Sequence, residues 1–222
     1  MKNRFPLFVI PRLDQSRMLS GQKSWILRSS RSMILLIFLL CSVSSVAALD
    51  RCQDYVTDIR IQHTKYFGLN YPWWYGVGQA RQESNCRANV TAFDAGMGLT
   101  QFMPRTWAGV EKDMGVKLDP YNPEHSIRAQ AFYMCQLHRQ NWEGSLWLTY
   151  QAYNGGWKLL RAEKQRACHT DWTLMKQVCH RKVIRLKSGR SLDLCEVNYD
   201  YSKKVFRYGN QYRLSPDNWR YW

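Results

Sequence analysis

From position 49 onward, apolar side chains recur every three or four residues, the spacing of a helix face rather than the alternation of a strand. Leu49 to Tyr71 is helix-compatible, with Tyr55, Ile59 and His63 on one face. Pro72 stands where a helix can start, because its fixed backbone angle and missing N–H are harmless in a first turn. A second helix is expected over Trp73 to Asn85, with Val77, Ala80, Arg81 and Ser84 at helical spacing and Glu83 in its last turn; Gly76 and Gly78 weaken it. Residues 86 to 104, rich in Gly, Asn, Thr and Pro, read as an irregular loop. Further helices are expected over Ile127 to Gln140, with Ile127, Ala131, Met134 and His138 on one face, over Ser145 to Tyr153 before Gly155 and Gly156, and over Tyr201 to Tyr208. Arg161 to Arg190 is a basic stretch, most simply a solvated charge run, with a turn at Lys187 to Arg190. No repeat or low-complexity linker interrupts the chain after residue 50, so one domain is expected over residues 49–222.

The first 48 residues are of another kind. Met33 to Leu49 carries no charge, follows Arg28 and Arg31, and ends in the small residues Val46, Ala47 and Ala48, the three-part layout of a secretory signal. Its length also sits at the short edge of a membrane span, which leaves an inner-membrane anchor at residues 33–48 as the rival reading. Either way, the remainder of the chain is expected outside the cytoplasm, periplasmic or secreted, with membrane contact only through this segment. Translation starting at Met18 or Met33 would also suit the long basic lead-in.

Of the formal charge of +15, residues 1–48 supply seven Lys or Arg against Asp14, which leaves +9 for the domain. A basic surface attracts any polyanion and does not choose among them, and no nucleic-acid module is readable. Apart from Cys41, six cysteines stand at 52, 86, 135, 168, 179 and 195, an even number in a chain read as exported. Three disulfides are the default expectation, with the pairing open. Cys168-His169 and Cys179-His180 match no common zinc spacing, so no metal site is expected.

Three segments carry the chemistry. They are Gln82-Glu83-Ser84-Asn85-Cys86, then Gly98-Leu99-Thr100-Gln101-Phe102-Met103-Pro104 with Thr106-Trp107, then Ala152-Tyr153-Asn154-Gly155-Gly156. In order and spacing the set resembles the soluble lytic transglycosylase family, and the likeness extends from Tyr71 to about Tyr208. Ile127-x-x-x-Ala131-x-Tyr133-Met134 is similar to a further family helix, with Gln130 in place of its glycine. The segment from Glu196 to Tyr201 and Val205 looks like the family's C-terminal motif with one extra residue before the tyrosine, which makes Tyr201 a looser transfer than Glu83. Cys86, Thr100 and the lead-in Phe93-Asp94-Ala95-Gly96-Met97 also depart from the pattern.

The resemblance implies the mainly helical lysozyme-like fold shared with goose-type lysozyme, and cleavage of the β-1,4 bond between N-acetylmuramic acid and N-acetylglucosamine in peptidoglycan with a 1,6-anhydromuramyl product. It implies Glu83 as the single catalytic acid and base, with Ser84, Gln101, Tyr153, Asn154 and Tyr201 at the substrate. Independently, breaking a glycosidic bond requires a carboxyl that stays protonated near neutral pH, which a dry setting provides. Asp94 is the only other carboxylate local to the motifs, too few for an evident two-carboxylate hydrolase. No metal or organic cofactor is required. Glycan strands are the expected partner, and a secretion, conjugation or phage apparatus stays open as a second. The rival readings are a lysozyme-type muramidase of the same fold and a non-catalytic wall-binding component of an envelope-spanning machine.

Overall fold

A computed structural model describes residues 50–140, 144–186 and 188–213. The expected signal or anchor at 33–48, its alternative starts and Cys41 lie outside the described residues. Among the described residues no helix is long and apolar enough to cross a membrane.

The domain is helical, as its periodicity requires. After a 3-10 turn at Arg51–Tyr55, capped by the Asp50 carboxylate accepting from Cys52 N at 3.1 Å, comes α1 (Val56–Phe67), which buries Ile59 and His63. Next, α2 (Trp74–Ser84) closes on Asn85 in the left-handed conformation, whose amide bonds back to Ala80 and Arg81. The two glycines that weaken α2 as an isolated helix are explained by packing. A Cβ on Gly78 would collide with Val205 O and Gly209 N, so α2 approaches the C-terminal helix backbone to backbone. A Cβ on Gly76 would strike the buried ring of His63.

After the loop comes α3 (Pro104–Met114), which the periodicity reading left unassigned. Pro104 occupies its first turn, Trp107 and Val110 are buried, and Gly115 ends it at positive φ. Then α4 (Pro123–His138) starts four residues earlier than expected, because Pro123 and the Asn122 cap on His125 N form the N-terminus. Within it Ile127, Ala131 and Met134 are fully buried. Next come α5 (Leu146–Gly155), α6 (Trp157–Ala167) and the short α7 (Trp172–Gln177), capped by Asp171. The expected turn near 190 closes a small antiparallel hairpin of β1 (Val183–Arg185) and β2 (Ser191–Asp193), with Gly189 N bonded to Leu186 O. The chain then enters α8 (Leu194–Arg213), which has 20 residues rather than the eight expected.

The basic stretch is not simply a solvated run. The Arg181 side chain is buried, and its guanidinium grips both oxygens of the buried Glu163 at 2.8 and 3.1 Å, while the Tyr199 hydroxyl donates to the same carboxylate at 2.9 Å. A paired, hydrogen-bonded charge is the form in which an arginine tolerates burial.

Ile59, Val77, Leu99 and Ile127 form one part of the core, Met134, Leu148, Tyr150, Leu160 and Val205 a second, and Phe102, Trp107, Val110 and Ala129 a third. Among the described residues two disulfides form, Cys52–Cys86 and Cys179–Cys195. The expectation of a third is corrected: Cys135 and Cys168 are free. Cys135 is buried on α4 against the Tyr66 carbonyl, whereas Cys168 is exposed just past α6.

Candidate active site

Glu83 stands one residue before the end of α2, where the helix is fixed from three sides. Gly78 lets α8 close against it, Asn85 and Cys86 turn the chain sharply at positive φ, and Cys86 is bonded to Cys52 ahead of α1. The side chain is part-buried, and its Oε1 accepts a hydrogen bond from the Tyr201 hydroxyl of α8. Burial pushes the Glu83 pKa up to about 8. The Tyr201 bond pulls the other way by favouring the carboxylate, and the charge of Asp94 adds to the upward push. Loss of hydration dominates, so at neutral pH the group is mostly a carboxylic acid.

The turn Gly98-Leu99-Thr100-Gln101 is tied down on every side. Ser84 Oγ donates to Leu99 O at 2.7 Å and accepts from Arg87 N at 3.0 Å. The Tyr153 hydroxyl of α5 donates to Thr100 O at 2.7 Å, and the Thr100 and Ser126 hydroxyls share a bond at 2.8 Å. Gln101, itself at positive φ, donates its amide to Gly98 O at 2.7 Å. Gly98 is needed here twice over, being at positive φ and pressed against Pro120 O. Short bridges from Thr91 to Met97 and from Met97 to Phe102 complete the loop. A segment that reads as irregular in sequence is thus an over-determined turn, with Leu99 and Thr100 fully buried beneath it.

The expected site residues fall into three groups. Glu83, Tyr201 and Tyr153 come together: Tyr201 bonds Glu83, and the electrostatic influence of Glu83 reaches both tyrosines, whose pKa values are raised mainly by burial. Ser84 and Gln101 lie beside them, but their polar hydrogens go to backbone carbonyls of the turn. Asn154 is exposed at the end of α5, where its Oδ1 accepts from Asn198 Nδ2 of α8 at 2.9 Å. Asp94, exposed on the lead-in loop, bonds Gly96 N and reaches Glu83 through its charge rather than by contact. Trp73 and Trp107 are buried in the core.

Residues 70–174 match the family described as "Transglycosylase SLT domain". The match covers just under half of the chain. No curated protein matches it in sequence. Among solved structures, the 70 kDa soluble lytic transglycosylase of Escherichia coli superposes with a TM-score of 0.55 at 22% identity, over 69% of this chain and 24% of that one. An inactive variant of the lytic transglycosylase Slt of Pseudomonas aeruginosa gives 0.54 at 22% identity, over 68% of this chain and 23% of that one. A complex of the 70-kDa soluble lytic transglycosylase with bulgecin A gives 0.53 at 22% identity, over 69% of this chain and 24% of that one. The fold is therefore the helical one those enzymes share with this chain, and the chain spans about a quarter of their length.

Proposed function

We propose that this domain is a peptidoglycan lytic transglycosylase with Glu83 as its acid and base. One observation carries the reading: the Tyr201 hydroxyl is bonded to an oxygen of a part-buried carboxyl at the end of α2, whose pKa burial pushes up to about 8. A general acid needs its proton at working pH, and once the proton has gone it needs a donor to hold the carboxylate. Glu83 and Tyr201 meet both needs.

Glu83 gives its proton to the oxygen linking N-acetylmuramic acid to the next N-acetylglucosamine, and the C1–O bond breaks with its electron pair leaving on that oxygen. The substrate's acetamido group stabilises the electron-poor C1. Glu83, now a carboxylate held by Tyr201, takes the proton of the C6 hydroxyl of the same sugar as O6 bonds to C1. The ring closes as a 1,6-anhydro sugar without water, and a hydroxyl on the reacting sugar is already at high effective concentration. Ser84 and Gln101 hold the turn beside the acid, Tyr153 fastens it to α5, and Asn154 stands at the exposed helix end where a sugar substituent can reach it.

The domain limits proposed are residues 49–222, behind a signal or anchor at 33–48. The two disulfides support an oxidising compartment, periplasmic or extracellular. Glycan strands are the proposed substrate, and an envelope-spanning secretion, conjugation or phage apparatus is the proposed context. A hydrolytic muramidase is the second reading, favoured by the reach of the Asp94 charge to Glu83. The test is loss of turbidity of a peptidoglycan suspension on adding the purified protein, beside Glu83→Gln. Clearance by the first alone supports an enzyme acting through Glu83, and clearance by neither leaves a wall-binding component.

A further inference from the structure

Two primary amides lie beneath the acid, both fully buried: Gln79 on α2, one turn before Glu83, and Gln130 on α4. Burying an amide costs free energy unless its hydrogen bonds are replaced. Gln130 Nε2 donates to Gln79 Oε1 at 2.8 Å and to Gly76 O at 3.3 Å, so Gln79 is held by its oxygen. Its own nitrogen has no acceptor at bonding length, yet the Gln79 amide adjoins the Tyr201 hydroxyl closely enough to favour its ionised form. Tyr201 in turn donates to Glu83. Two donations, Gln130 to Gln79 and Tyr201 to Glu83, thus flank the unspent Gln79 N–H, across α4, α2 and α8. By resemblance, Gln130 stands where the family has glycine, so the pair is a feature of this chain.

The geometry points to Gln79, oriented by Gln130, as a positioning residue that acts on Glu83 through Tyr201. This rests on the role proposed above for Glu83. While Glu83 is protonated, the Gln79 amide N–H is poised but unspent. When the proton leaves, the carboxylate draws on the Tyr201 hydroxyl, the phenol oxygen becomes a better acceptor, and the waiting N–H closes on it. Hydrogen bonds in a chain polarise one another, most where the dielectric is low. A purely structural pair would join α2 to α4 and have no influence on the acid.

The groups acting on the Glu83 carboxyl are Tyr201 from α8, Tyr153 from α5 and Asp94 from the loop. Removing the Gln79 N–H weakens Tyr201 as a donor, and that bond favours the carboxylate, so the Glu83 pKa must rise. The test is a carboxyl carbon NMR titration of glutamate-labelled protein as wild type, Gln79→Met, and Gln79→Met with Gln130→Met, each with and without Tyr201→Phe. The double methionine variant removes both buried amides together, which leaves no orphaned partner and keeps the fold. The expected result is an upward movement of Glu83 by about half a unit in both methionine variants, absent in the Tyr201→Phe background. An unmoved Glu83, or the same movement without the Tyr201 hydroxyl, would overturn the relay. The titration needs no turnover, so it reads the relay even if the protein cleaves no peptidoglycan. With turnover, the alkaline limb of the rate profile moves up with the titration.

Discussion

The hydroxyl of Tyr201, near the start of α8, donates to the carboxyl of Glu83, at the end of α2, and joins residues 118 apart in the chain. The contact depends on Gly78 and Gly209, which let the two helices meet without side chains between them. Tyr201→Phe removes the one bond known to pull the Glu83 pKa down, so that pKa should rise and the alkaline limb of activity move up with it. The rate should fall by about tenfold or more, since the carboxylate formed in the first step loses its donor. A pH profile of muropeptide release by the variant and the wild type checks both.

Glu83 also marks the pH dependence of stability. Its folded pKa, about 8, lies above the ordinary 4.5, so between those values the folded protein holds a proton that the unfolded chain has released. Stability therefore falls as pH rises through this window and is unaffected by Glu83 below it, where both states are protonated. Glu83→Gln should abolish activity and be more stable than wild type at pH 8, with the gap closing toward pH 4.5. Each unit of displacement corresponds to about 1.4 kcal/mol. Denaturant unfolding at three pH values measures the gap, and a gap independent of pH would contradict the buried-acid assignment.

The Cys52–Cys86 disulfide closes 34 residues of chain and pins the backbone just past Glu83. A loop of that size stabilises by roughly 3–4 kcal/mol through the unfolded state. Cys86→Ser should lower the unfolding midpoint and the activity together. Cys168→Ser should change neither. Thiol labelling of the folded protein should mark Cys168 readily, with Cys135 reacting only on unfolding.

Gly78→Ala places a methyl group against the α8 backbone at Val205 and Gly209. The better helix former should be the worse residue here, costing about 1–3 kcal/mol as α8 shifts away. Because Tyr201 rides on α8, activity should drop by more than the stability loss explains. Equal unfolding midpoints for the variant and the wild type would refute the close crossing.

Helical periodicity is a local signal, and it found the elements whose buried face is apolar. Val77, Ala80 and Ser84 marked α2, and Ile127, Ala131 and Met134 marked α4. It fell short on α8, since buried Asn198 and Ser202 interrupt the apolar face and bond instead to Gln151 and Asn154 on another helix. The missed α3 did carry a readable signal, Pro104 followed by Trp107 and Val110 at helical spacing. The motifs pointed to Glu83, the turn and Tyr153, which the fold brings together, yet could not show that Ser84 and Gln101 spend their donors on backbone carbonyls. Nor could cysteine parity show that Cys135 and Cys168 stay apart, because pairing depends on three-dimensional neighbours.

The most direct measurement is the chemistry of the cleaved end. Purified protein is incubated with intact peptidoglycan in ¹⁸O-labelled water beside Glu83→Gln, and the released muropeptides are weighed by mass spectrometry. The expected products are 1,6-anhydromuropeptides without ¹⁸O at the new end, formed by the wild type and not by the variant. Reducing ends carrying ¹⁸O would mean that water, not the C6 hydroxyl, attacks C1, and would contradict the transglycosylase mechanism.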